Sequence, residues 1–189
     1  MKNKTIFEQL INPFTRVAGW QAFGFGLIFV ILMGFLGAYN GIAFDGLIDM
    51  HMMDLSLLQS FLYLGIDLTS LVLVMWITGL IVSKNFRFID ILGTMTLAKA
   101  PFLLLAIAGF FTTAPDLSGI YKDPYVLFQS ISFITLIVLS FPVMIWSITL
   151  MYNALKVSCD VKGSKLTVAF IIAMLLSEVL SKVLIYLFV

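Results

Sequence analysis

Charge is what this sequence has least of. Its 189 residues include 11 lysines and arginines and 10 aspartates and glutamates, so 11% are charged, against roughly a quarter in an ordinary soluble domain. With 61% hydrophobic residues, a soluble fold of this size is excluded, because so few charged side chains cannot cover that much apolar surface. Disorder is excluded by the same imbalance. The net charge of +1 creates no polyelectrolyte field, which removes nucleic acid as a partner. The single cysteine, Cys159, excludes a disulfide framework and a multi-thiol metal site. The single histidine, His51, leaves imidazole-based metal chemistry almost without material. No Gly-x-Ser-x-Gly, His-Glu-x-x-His or glycine-rich phosphate loop occurs. The expectation is therefore no enzyme, no catalytic residue, no cofactor and no metal.

What the sequence does have is five long apolar runs, at about 17–39, 61–82, 89–111, 130–152 and 166 to the C-terminus. About 20 apolar residues in a helix cross the roughly 30 Å hydrocarbon layer of a bilayer. Each run is apolar on nearly all sides, which fits helices and not the short alternating strands of a barrel. The expected fold is all-α, a polytopic membrane protein forming a bundle of five transmembrane helices. The first run is too long for a cleaved signal, whose apolar stretch is about 7–15 residues. Met1-Lys2 lacks the glycine that myristoylation needs. No domain boundary appears: 1–16 reads as a short cytoplasmic tail and 17–189 as one transmembrane domain.

Basic residues set the expected direction. Lys2, Lys4 and Arg16, then Lys84 and Arg87, then Lys156, Lys162 and Lys165 fall on one side of the membrane. The other side carries Lys122 with Asp45, Asp49, Asp54, Asp116 and Asp123. The positive-inside rule puts the N-terminus in the cytoplasm and Val189 outside.

Four ionisable residues fall inside the runs: Asp67, Lys99, Glu178 and Lys182. Each costs about 2.5–3.5 kcal/mol at a span centre on insertion scales, so such residues pair, pack inward or meet water. Glu178 and Lys182 are four apart, in the favourable order for an ion pair within one helix. That pair lowers insertion cost or, alternatively, serves transport or catalysis. The four charges sum to zero, and one buried network joining the second, third and fifth spans is expected. Lys99 alone has a competing reading, snorkelling toward the cytoplasmic interface.

Pro101 and Pro142 lack the amide hydrogen that a helix requires and predict kinks in the third and fourth spans. At Pro101 the carbonyl of Leu97 is the one left without a donor. The first span carries small residues at Ala18, Ala22, Gly26, Gly34 and Ala38. Such spacing lets backbones approach closely, for packing within the bundle or for dimerisation.

Two loops hold candidate chemistry. The stretch 45–54 combines Asp45, Asp49, Met50, His51, Met52, Met53 and Asp54. It reads as a short interfacial helix with methionines in lipid, in preference to a soft-metal site. The basic stretch 153–165 suits anionic head groups or a cytoplasmic partner, though positive-inside charge explains it equally. Cys159 within it is an inert thiol, with a lowered pKa or acylation as the alternatives.

The layout resembles the YIP family, the Ypt/Rab-interacting five-spanning membrane proteins, in its short bacterial form. The likeness rests on Leu97-Ala-Lys-Ala-Pro101-Phe-Leu-Leu in the third span. It rests also on Trp146 leading to Tyr152-Asn153-Ala154-Leu155-Lys156, and on Gly163-Ser164-Lys165 opening the fifth span. Eukaryotic members carry a long cytoplasmic region with an Asp-Leu-x-Gly-Pro motif, which this chain lacks, so GTPase binding does not follow. The resemblance implies a non-enzymatic accessory or organising subunit of a membrane complex, related to export or trafficking, in the bacterial inner membrane. The expected partners are the lipid bilayer and a membrane protein or a second copy. The alternative is a small transporter or lipid-translocating protein using Asp67, Lys99, Glu178 and Lys182 as its polar path. An intramembrane enzyme is the most distant reading.

Overall fold

The computed structural model describes residues 5–83, 85–113, 125 and 130–189; Lys2, Lys4, Lys84, Asp116, Lys122 and Asp123 lie outside them. Among the described residues, five helical stretches are long and apolar enough to cross a membrane. The protein is an all-α, multi-pass bundle. We number the helices α1 (Ile6–Ile11), α2 (Gly19–Asn40), α3 (Leu57–Val82), α4 (Phe88–Ala98), α5 (Leu103–Ala108), α6 (Ile131–Cys159) and α7 (Ser164–Phe188). The third span is Phe88–Phe111, assembled from α4, α5 and short 3-10 turns.

The helix ends follow from local chemistry. Ser56 and Gln59 form a capping box that starts α3 four residues before the apolar run at 61. There the Ser56 hydroxyl accepts from the Gln59 amide and the Gln59 side chain accepts from the Ser56 amide. Gly41, at φ 64°, supplies the left-handed residue that closes α2. At the fourth span the stop comes late. The helix continues to Cys159 and ends on Asp160 in the left-handed region. The expected loop 153–165 thus shrinks to 160–163, and Cys159 is a buried helical residue, packed where a side chain at Gly79 would meet its sulfur.

Without a hydrophobic drive between helices in lipid, close approach and specific hydrogen bonds hold a bundle together. α2 lies along α4, and α3 runs antiparallel to α7, while α6 packs on the third span. Ala22 is fully buried. A methyl group on Gly26 would sit 2.5 Å from the Leu97 nitrogen and 2.7 Å from the Thr96 carbonyl carbon. Gly34 gives way to the ring of Phe61 on α3, and Ala38 is half-buried. Ala18 stands apart from this stripe: it is extended, exposed and precedes the helix. Gly93 on α4 meets the Gly19 carbonyl from the other side. Ala22, Gly26 and Gly34 therefore lie at contacts between spans of one chain.

The two prolines differ. Pro101 breaks the third span. The Phe102 amide donates to the Lys99 carbonyl, which leaves the Ala98 carbonyl without its helical donor, and Ser147 on α6 donates to it at 2.8 Å. The orphan carbonyl with a new partner is therefore Ala98 and not Leu97. Pro142 is exposed and α6 continues through it.

The largest departure from expectation is the loop between α2 and α3. It forms no helix. Ile42–Ala43 pairs antiparallel with His51–Met52, and the loop between them turns back into the bundle. Ile42 and Ala43 are fully buried, and Phe44 and Leu47 nearly so. Leu47 belongs to the core that includes Leu71, Met75 and Met95. The apolar residues at 42, 43, 44 and 47, all buried, outweigh the helical reading once the spans leave a gap to fill. The N-terminal segment is also docked: Phe14 is buried, and the Trp146 indole and Asn153 amide donate to the carbonyls of Leu10 and Ile11.

The close contact of α2 with α4 sets a test. Gly26→Leu should lower stability by about 1–3 kcal/mol or more through overpacking. Gly24→Ala, where an added Cβ meets nothing within 4 Å, should change it by less than about 0.5 kcal/mol. Thermal unfolding midpoints in one detergent compare the two.

Candidate functional site

The four intramembrane charges converge on the re-entrant loop. Lys99 stands at the end of α4, beside the Pro101 break, with its backbone still in the helical region. Its ammonium lies 2.6 Å from Asp67 Oδ2 on α3 and donates to the Leu47 carbonyl at 2.7 Å. It also sits 4.8 Å from the centre of the Phe102 ring, in cation–π range. Asp67 and Lys99 are both almost wholly buried. Asp67 lies ten residues into α3, about 15 Å from its first turn. The loop thus reaches the middle of the bundle.

Glu178 completes the grip from α7. Its Oε2 accepts from the Leu47 amide at 2.6 Å. Leu47 therefore has its backbone N–H met by an anion and its C=O met by a cation, on two different spans, so that both of its flanking peptide units are held. Gly46 makes room for this: a Cβ there would lie 2.6 Å from Glu178 Oε1.

Nearer the loop's open end, Lys182 donates to Asp45 Oδ2 at 3.3 Å and Asp49 Oδ2 at 2.9 Å. His51 Nδ1 is 2.9 Å from Asp45 Oδ1. Side-chain exposure rises along the series, from 0% at Asp67 and 3% at Lys99 to 38% at Lys182 and 56% at His51. The series leads inward from the end that carries the loop.

Glu178 and Lys182 do not pair with each other. Each turns to the loop, which offers a peptide amide to one and two carboxylates to the other. The link from Lys99 to Glu178 runs through the Leu47 backbone and not by side-chain contact, and Lys99 does not snorkel. Asp45, Asp49 and His51 bring potential ligand atoms within 4.8 Å of one another. Lys182 already supplies the cation to both carboxylates, so this group is an ion-pair cluster by its chemistry. Asp67 Oδ1 and Ser70 Oγ on α3 and Ser181 Oγ on α7 are buried with no hydrogen-bond partner among the described residues.

Sequence reasoning overlooked Leu47, whose role is carried by its backbone. One signal was present. Lys182 lies toward the same end as the acid-rich loop, and Asp45-Gly46 combines a carboxylate with a residue that admits close approach. Comparison with protein-family models, curated proteins and solved structures gave no match.

The buried pair makes a quantitative expectation. Asp67→Asn leaves Lys99 an uncompensated buried charge and should cost about 3–5 kcal/mol. Replacing both, as Asp67→Leu with Lys99→Met, leaves only the Leu47 carbonyl unmet, at about 1–3 kcal/mol. The double variant should thus melt above the single one in detergent. Equal midpoints would show that the two charges are not energetically coupled.

Proposed function

We propose that this protein is a non-enzymatic, YIP-type integral membrane protein that serves as an accessory or organising subunit of a membrane complex, in export or trafficking. One observation carries the reading: the intramembrane charges are spent on holding the protein's own loop. Lys99 and Glu178 grip the Leu47 backbone, Asp67 neutralises Lys99, and Lys182 binds Asp45 and Asp49. A transport path needs polar groups that exchange partners with a passing solute, and each of these four charged groups has a partner from the same chain.

Broad apolar faces remain for lipid or a membrane-protein partner. They include Val138, Phe141 and Ile145 on α6 and Leu175, Val179 and Val183 on α7. The charge bias supports the direction. Arg16, Arg87, Lys156, Lys162 and Lys165 belong to one set of connections and Asp45, Asp49 and Asp54 to the other. By the positive-inside rule the N-terminus is cytoplasmic and the C-terminus outside, and the resemblance to the short YIP members supports a bacterial inner membrane.

Glu178→Gln tests this reading, because the amide oxygen still accepts from Leu47 while the charge is gone. Vesicles containing the purified protein alone should show no ion, solute or lipid movement, with or without the substitution. The variant should co-purify in mild detergent with the same membrane-protein partners as the native chain. Flux through the native protein that a folded Glu178→Gln variant abolishes would overturn the accessory role in favour of transport.

A further inference from the structure

A groove of about 650 Å3 runs between α3 and α7 on the outside of the bundle. Its walls are apolar, from Val74, Ile77 and Ile81 on one helix and Val168, Ile172 and Leu176 on the other. Polar groups gather where α7 begins, at Ser164 and Lys165, with Thr78 the only other hydroxyl on the walls. From Lys165 to Leu176 the groove follows α7 for about 16 Å. That equals the depth of one leaflet, half of the roughly 30 Å hydrocarbon layer. The groove therefore starts at a polar mouth and ends near mid-membrane.

The mouth is built for an anion. The Lys165 ammonium is held over it by donating to the Val82 carbonyl at 3.3 Å, the end of α3. An ammonium has three donors, so two remain. The residue before α7 is Gly163, which has no side chain to cap the helix. The first amides of this 25-residue helix therefore point outward with the positive end of its dipole. The turn leading in carries exposed Lys162 and one opposing charge, exposed Asp160. Arg87 on the neighbouring connection is bound to its own Asp90.

We infer that this groove binds one anionic phospholipid, with an acyl chain between α3 and α7 and its phosphodiester at Lys165 and the start of α7. The match is in length, polarity and charge together: an apolar slot one leaflet deep, closed at its polar end by a fixed cation. The site is separate from the Leu47 clamp and does not rest on the accessory reading.

Native mass spectrometry of the whole chain in mild detergent tests it, titrating phosphatidylglycerol and phosphatidylcholine with identical acyl chains. Phosphatidylglycerol should bind about fivefold more tightly, the effect of one lysine near an anionic head group. Lys165→Gln should abolish the preference and Lys165→Arg should keep it. Ala169→Phe and Val168→Trp, two independent ways of filling the slot, should weaken both lipids alike. Inorganic phosphate at the lipid's concentration should displace neither. The inference fails if the native chain binds both lipids equally, or if the preference survives Lys165→Gln. It fails equally if neither filling variant affects binding, or if phosphate competes, which would make the mouth a bare anion site.

Discussion

The backbone of Leu47 is held from two sides, its carbonyl by Lys99 and its amide by Glu178. The physical need is severe. The hydrocarbon of a bilayer offers no water to a backbone group, and non-helical chain is tolerated at that depth only where it is buried in protein or lines a water-filled cavity. A loop that leaves the interface and enters the bundle must bring such donors and acceptors with it or find them on the spans. Here the spans provide them. Isolated charges in helices would be a heavy cost on insertion, but paired with a peptide and with each other they hold a plug in place. The neutrality of the four-charge set belongs to the same logic. Asp67 exists in this arrangement because Lys99, needed by Leu47, would otherwise be an unpaired cation in a sealed interior.

The loop and the helix packing support each other. Ile42, Phe44 and Leu47 fill space that α2, α3, the third span and α7 leave open, and they join two apolar clusters at opposite depths. The close approach of Gly37 to the Ile42 carbonyl, 2.6 Å from where its Cβ would be, lets the chain turn inward immediately after α2. Asn40 then donates to the Ala106 carbonyl at 2.7 Å, tying that turn to α5. The outermost pairs, Lys182 with Asp45 and Asp49, are half-exposed and individually weaker in a wet interface. Their place is to fix the loop's entry, while the buried contacts fix its depth.

Span number was legible because it depends only on length and hydropathy, two properties that no tertiary contact overrides in lipid. Span ends were less so. The Ser56–Gln59 capping box lies before the apolar run, in residues that hydropathy alone assigns to a loop. The last turn of α6 is amphipathic, with Lys156 on it and Cys159 beneath. The loop was misread for a definite reason. A ten-residue stretch mixing aspartate with methionine fits an interfacial helix by composition, and nothing local says that Leu47 will be buried. The expected Glu178–Lys182 pair failed similarly. The four-residue rule describes a helix surface facing water, where the alternative partner is solvent. Here the alternative was a peptide amide and two carboxylates.

Several polar side chains of the spans complete the backbone of another segment, while Thr96 and Ser177 bond back to their own helices. Ser147 donates to the Ala98 carbonyl that the Pro101 break releases, and Ser60 donates to the carbonyl of Gly34 at 2.8 Å. Trp146 and Asn153 do the same for the last carbonyls of α1. In each case a side chain on one span completes the backbone of another segment. These are bonds across elements, and breaking either of the two buried ones, from Ser147 or Ser60, would leave an unmet carbonyl inside the bundle. A solute pathway needs the reverse, polar groups whose partners are replaceable. The hydrogen bonds of Ser147, Ser60, Lys99 and Glu178 are thus structural ones, made within the chain, and the exposed apolar faces are left to lipid.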